Sequence, residues 1–188
     1  MSALALPLDV SLQPFHTLIR AERAEDVGAR EALLDAAMGA GRTRKSSEAI
    51  RRGRLPAQGL SLVSETTDGV LAGSVRLWHV AAGERGGAPV EALLLGPLAV
   101  ARPFEGLGIG SQLMRRAIAE AAWRGHRAIV LVGDAPYYER FGFRAEAAAG
   151  LVMPGPFERH RLLGLELATA SLQGACGLIQ PNGPRSDA

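Results

Sequence analysis

The stretch Leu98-Ala-Val-Ala-Arg-Pro-Phe-Glu-Gly-Leu-Gly-Ile-Gly-Ser111 holds the residue types and spacing best suited to chemistry. Gly106, Gly108 and Gly110 alternate where an apolar run gives way to a helical pattern. Without a Cβ, each lets an anion approach the N–H groups that the first turn of a helix leaves unpaired. The helix dipole adds about half a positive charge at the same point. A diphosphate is the ligand such a loop suits. The same glycines would also serve a tight strand-to-helix turn with nothing bound. Two nucleotide motifs are excluded by spacing. No Gly-Lys-Ser/Thr is present, and the glycines run Gly-x-Gly-x-Gly rather than Gly-x-Gly-x-x-Gly. A second segment, Gly133-Asp-Ala-Pro-Tyr-Tyr-Glu-Arg-Phe-Gly-Phe143, follows after one helix and one strand.

The elements around these segments can be read from periodicity. Residues 16–22 (HTLIRAE) alternate as a strand with Leu18 inward, and 24–38 repeat as a helix that Gly39 can end. The arginine-rich stretch 42–54 contains a short helix within a long connection. Strands follow at 60–66 and 70–81, with Asp68-Gly69 as their hairpin turn and a glycine-rich turn at 84–89. A buried strand over 91–101 (EALLLGPLAVA) leads into a helix over 108–124. On that helix Ile109, Leu113, Met114, Ala117, Ile118 and Ala121 form one apolar stripe, with Gly125 as its cap. Then come a strand at 128–134, a short helix at 136–141, and strands at 143–147 and 162–168. Pro97 cannot donate to a ladder, so it marks a bulge or an unpaired edge. The strand–helix–strand unit makes its two strands parallel. The expected fold is a mixed α/β sheet with helices on both faces, in one domain over 1–180 with a frayed tail at 181–188.

Composition removes whole classes. At 188 residues and 47% hydrophobic, the chain can bury a core and is not disordered. One cysteine, Cys176, excludes a disulfide scaffold and a cysteine-rich zinc site. His16, His126 and His160 have no ligand spacing, so no metal is expected. No apolar run reaches a membrane span, and residues 1–9 lack the basic start of a secretory signal. A cytoplasmic location is expected. Lys45 is the only lysine, and the net charge is +2, too small and too scattered for bulk nucleic-acid binding.

Leu98-Ala-Val-x-Arg-Pro followed by Glu-Gly-Leu-Gly-Ile-Gly resembles the acetyl-CoA-binding motif of the GNAT N-acetyltransferase superfamily. Tyr138-Glu-Arg-Phe-Gly-Phe143 resembles its closing Tyr-x-x-x-Gly-Phe element. The twin tyrosines and Leu-Gly-Pro-Leu-Ala-Val are most similar to its YhbS-like branch, and the match covers 91–143. The resemblance implies a GNAT fold whose fourth and fifth strands splay, Pro97 lying at the bulge that opens them. It implies that the backbone of Leu98, Ala99 and Val100 pairs with the pantetheine arm of acetyl-CoA. Amides from Gly106, Leu107, Gly108, Ile109, Gly110 and Ser111 would hold the diphosphate. Tyr138, protonated at neutral pH with an ordinary pKa of ~10, would be the general acid for the departing thiolate. Tyr137 is assigned to packing. Freed N–H groups near the bulge, that of Val100 among them, would hold the oxyanion. Glu105 departs from the pattern, standing where Gln or Arg is usual. A carboxylate 6–8 Å from a diphosphate is repelled by about 2–3 kcal/mol if unscreened.

The resemblance implies direct acetyl transfer in a ternary complex to a primary amine on a small molecule or peptide. A homodimer is compatible with this. Some members carry a base near the position of Glu91, which reads equally as a solvated strand end, and His79, which reads equally as a strand-edge histidine, competes with it for that role. Arg42, Arg44, Lys45, Arg51, Arg52 and Arg54 would suit a carboxylate or phosphate on the acceptor, and equally a solvated helix face. The loop Met153-Pro-Gly-Pro156 would line the acceptor cleft. Two other readings fit the same fold: a non-catalytic acyl-CoA-binding or regulatory module, and a transferase of a longer acyl group.

Overall fold

The apolar runs become strands because both faces of this sheet are covered. The computed structural model describes residues 16–186; the expectations about a signal at 1–9 and the last two residues of the tail lie outside it. The strands are β1 (Thr17–Ala21), β2 (Ser61–Thr66), β3 (Leu71–Arg85), β4 (Ala88–Val100), β5 (Ala128–Val132), β6 (Leu151–Val152), β7 (Leu162–Glu166) and β8 (Cys176–Pro181). The helices are α1 (Val27–Met38), α2 (Ser46–Arg51), α3 (Ile109–Trp123) and α4 (Ala135–Tyr138). The sheet runs β1-β2-β3-β4-β5-β7, with β8 pairing to the far half of β3 and β6 to β8. Along the main path only β4 and β5 are parallel. This is the mixed α/β sheet the sequence predicts.

Alternation along β3 and β4 sends residues to two cores. Leu77, Leu93 and Leu95 meet the buried stripe of α3, Ile109, Leu113, Met114, Ala117 and Ala121. Trp78, Val80 and Leu94 face the other way and pack with Ile50 of α2, while Ala99 packs with Leu33 and Leu34 of α1. α3 lies close to the sheet because residue 73 is glycine. A Cβ there would come within 2.9 Å of Leu113 Cδ1, 3.0 Å of Ile109 Cγ2 and 3.1 Å of the Ala99 carbonyl oxygen. Gly73→Ala is expected to cost about 1–3 kcal/mol through overpacking, read as a lower denaturation midpoint at constant m. An unchanged midpoint would mean that α3 yields freely.

Four expectations need correction. Leu18 points outward, 65% exposed, while Ile19 packs on the core, because the register with β2 sets which parity of β1 faces in. Residues 143–147 form no strand. They make one bridge, Arg144–Gly164, and turn into a 3-10 segment at Glu146–Ala148, as an alanine-rich run of low strand propensity allows. The turn at 84–89 shrinks to Gly86-Gly87, since Arg85 pairs with Ala88. The tail through Ser186 is tied down rather than frayed. Asn182 N–H donates to the His79 carbonyl, Leu55 N–H to that of Pro184, and Ser186 N–H to that of Gly53.

Candidate functional site

β4 is bent in its middle. Val75 pairs with Leu98 and Leu77 with Leu95, so Gly96 and Pro97 together oppose Arg76 alone. This is the bulge that a mid-strand proline predicts. Trp78 Nε1–H donates to the Gly96 carbonyl at 2.7 Å and ties the bulge to β3. β4 and β5 pair only at Leu93–Ile129 and Leu94–Val130, whereas β5 continues to Val132 against β7. Beyond Leu94 the parallel strands have parted. Ala101 N–H donates to the Ala72 carbonyl at 2.9 Å, which sets the parity of this half of β4. Ala99 and Ala101 therefore turn their backbone groups toward β3, and Leu98 and Val100 turn theirs to the side β5 has left. Of the three residues expected to offer backbone there, Leu98 and Val100 do. Ala99 does not.

The glycine loop divides its labour. Gly106 and Gly108 take φ of 78° and 80°, a left-handed conformation that favours glycine, and Gly108 caps α3. Gly110 lies in the first turn of α3, where a Cβ would sit 2.8 Å from the Tyr137 hydroxyl. Two glycines shape the loop, and the third makes room for a tyrosine. A cavity of about 290 Å³ opens here, lined by Gly106, Gly108, Ile109, Gly110 and Ser111 together with Val100, Phe104, Tyr137 and Arg140. Leu107 is 49% exposed and does not line it, so only its amide can serve. Arg140 stacks its guanidinium 4.1 Å from the Tyr137 ring centroid and donates Nε–H to the Tyr137 carbonyl at 3.0 Å. Glu105 is exposed on the rim of this cavity and forms no ion pair with Arg102. Tyr137 and Arg140 are the residues that sequence reasoning missed. Their spacing of three on a short helix, beside a glycine motif, was the available signal.

Tyr138 lies where β5 ends and α4 turns. Its ring meets Tyr137 edge-on at 4.9 Å and Phe143 at 6.1 Å, in the same cluster as Leu98 and Val100. Residue 133 must be small for this. A Cβ on Gly133 would fall 2.2 Å from Tyr138 Cε2. Burial first, and then Tyr137 beside it, pushes the Tyr138 phenol up to about 12. Its hydroxyl makes no hydrogen bond among the described residues, so the proton is available to a ligand.

Glu91 is elsewhere. It shares a cavity of about 360 Å³ with His79 and His126, whose rings lie 5.3 Å apart, near Asn182 and Pro184 of the tail. Burial, reinforced by His79, pulls His126 below its ordinary value. The paired stretch Leu93–Leu94 of β4 separates this cavity from the open strand edge, and Glu91 lies roughly 20 Å from Leu98 along the strand. Neither Glu91 nor His79 is brought to Tyr138. Among the described residues no helix is long and apolar enough to cross a membrane, and no metal-ligating group assembles.

Comparison with known proteins gives a consistent result. Residues 58–145 match the acetyltransferase (GNAT) domain family. The uncharacterized N-acetyltransferase YhbS of Escherichia coli strain K12 is 30% identical over 126 residues, 64% of this chain and 71% of that protein. A crystal structure of the E. coli GNAT family N-acetyltransferase YhbS in complex with CoA superposes with a TM-score of 0.74 at 28% identity, covering 89% of this chain and 91% of that one. A GNAT family acetyltransferase from Brucella melitensis in complex with acetyl-CoA gives a TM-score of 0.63 at 28% identity, over 92% and 97% of the two chains.

Proposed function

Since the chain belongs to the GNAT acetyltransferase family, we propose that this acyltransferase passes acetyl from acetyl-CoA to a primary amine by direct attack in a ternary complex. Tyr138 is the general acid. One observation carries the reading: a mostly buried phenol, its hydroxyl without a hydrogen-bond partner among the described residues, lies just past the end of β5, the strand that leaves β4 beyond Leu94, and packs on the same core as Leu98 and Val100. The relatives solved with CoA and acetyl-CoA support the choice of co-substrate. So does the donor set, a left-handed glycine loop at the N-terminus of α3 with a cavity in front of it.

The roles follow from position. Amides of Gly106 to Ser111 hold the diphosphate, and Arg140, lining the same cavity as Glu105, adds a cation that offsets it. Leu98 and Val100 bond the pantetheine arm as an added strand would. The Leu98 N–H, first after the bulge on the open side, holds the carbonyl oxygen as it gains charge, a contribution of about 3–4 kcal/mol for a donor of this kind. Tyr138 donates to the sulfur as it leaves. Its raised pKa keeps it a donor throughout the working pH range, so the alkaline limb of the rate is not its ionisation until about pH 12. No side-chain base is assigned. The amine enters neutral, and kcat/KM rises with pH up to the pKa of the amine itself.

Residues 1–180 act as one domain, with a small-molecule or peptide amine as partner and the cytoplasm as compartment. The test is acetyl transfer to a panel of amines alongside acetyl-CoA binding. Binding without transfer to any amine would favour a non-catalytic acyl-CoA module instead, and faster turnover of longer acyl-CoAs would reassign the donor. Glu105→Gln is expected to tighten acetyl-CoA binding about three-fold at low salt, with the gain fading at high salt. A large loss of affinity would show the carboxylate to be structural.

A further inference from the structure

The structure separates the basic residues of 42–54 sharply. Arg42 is held by Glu31 and Asp35, and Arg54 donates to the Gly183 carbonyl at 2.7 Å. Arg44, Lys45 and Arg52 are exposed. Arg51 alone is buried. It ends α2 with its side chain 9% exposed and its guanidinium against the β4 bulge, Nη1 lying 3.5 Å from where a Cβ on Gly96 would be.

Its donors are poorly used. Nη2 reaches Ser47 Oγ at 3.2 Å and Glu48 Oε2 at 3.3 Å. Nε is sealed from solvent with no partner, and Nη1 has no hydrogen bond among the described residues. Arg20 shows how this protein satisfies a structural arginine: Asp26 meets two of its nitrogens at 2.6 and 2.9 Å, and Glu65 takes the third at 2.6 Å. Arg51 has no such clamp. It also faces a second guanidinium on the same side of the sheet. Arg76 stacks 4.9 Å over Trp78, the residue that fastens the bulge; burial above all, and then Arg76 and Arg42, disfavour the charge on Arg51, with Glu48 pulling the other way. A guanidinium cannot shed its charge to escape such a place. A buried, cationic, half-satisfied fork one van der Waals contact from the bulge has the character of an anion site awaiting its ligand.

We propose that Arg51 binds a carboxylate on the acceptor, so that the substrates are amino-acid-like amines whose carboxylate anchors at Arg51 while the nitrogen reaches the bulge. The proposal rests on the transferase reading. A monoanion suits the site better than a phosphate dianion, because Glu48 already supplies one negative charge at 3.3 Å. The loop 153–156 closes the same side: Met153 packs with Ile50 and Trp78, and Gly155 approaches Ser46 of α2.

The experiment compares common L-amino acids with their primary amides and decarboxylated amines. It uses acetyl transfer, and calorimetric binding to the enzyme–CoA complex, with acetyl-CoA affinity as the control for folding. The wild type is expected to prefer a carboxylate by about 100-fold in kcat/KM, and Arg51→Gln to reduce that preference below about five-fold, mainly through KM, with the amide rate little changed. Arg51→Lys, keeping charge without the planar fork, should retain about ten-fold. Equal losses for acid and amide, or no preference in the wild type in either transfer or binding, would overturn the assignment. Arg51-dependent binding of an amino acid without any transfer would uphold the anion site and defeat the transferase reading.

Discussion

Replacing Tyr138 with phenylalanine is expected to lower kcat for acetyl transfer about 100-fold, with acetyl-CoA affinity within about two-fold of wild type. The substitution removes one oxygen and keeps the ring contacts with Tyr137 and Phe143, so α4 and β5 should hold their places. What disappears is the donor to the leaving thiolate. An ordinary phenol near 10 would begin to lose its proton at high pH, whereas this one, pushed up to about 12 chiefly by burial, does not. The sign matters: a raised phenol pKa preserves the acid form as pH rises, so the wild-type profile should climb to the pKa of the amine and then hold level rather than fall. Glu91→Gln, in the separate cavity, should change kcat/KM by less than about two-fold. A Tyr138→Phe enzyme that turned over normally, or a Glu91→Gln enzyme with a lost alkaline rise, would reverse the two assignments.

Gly133→Ala is expected to reproduce much of that loss while leaving every functional group in place. The Gly133 backbone lies outside the left-handed region, so alanine is permitted by conformation. The conflict is spatial: the added methyl would lie 2.2 Å from Cε2, 2.8 Å from Cδ2 and 3.0 Å from Cζ of Tyr138. The ring must swing away and carry its hydroxyl with it. A kcat reduced about 30- to 100-fold, with acetyl-CoA binding little affected, is the expected reading, because misplacing a catalytic group by about 1 Å can cost two orders of magnitude. Combining it with Tyr138→Phe should cost little more than either change alone, as for two lesions in one device. Multiplicative losses would mean that Gly133 acts through the fold.

Much of the site was legible because it is local. Gly106 and Gly108 announce a left-handed loop by residue type, and Pro97 announces a bulge by lacking an N–H. Gly110 was legible as part of a motif, but its reason was not: the tyrosine it accommodates is 27 residues away in sequence and arrives only through the β5–α4 turn. Tyr137 read as packing for the same reason. Glu91 heads the central strand in the sequence reading, where the family resemblance suggests a base and the residues alone suggest a solvated strand end. Its distance from the wedge depends on where β5 stops pairing with β4, a tertiary fact.

The sequence by itself determined the order of elements from β1 to α4, the parallel crossover around α3, the glycine loop and the tyrosine that follows it. Each is set by short-range rules: a missing Cβ, a missing N–H, a period of two or of 3.6. Only the tertiary structure decided which groups share a site. Leu98 and Val100 face the opening while Ala99 does not, because one hydrogen bond to Ala72 sets the parity. Six basic residues in one connection look alike in sequence, and only burial against Gly96 of the bulge makes Arg51 different. Burial, unlike residue type, is a property of the neighbours, and here those neighbours come from separate parts of the chain.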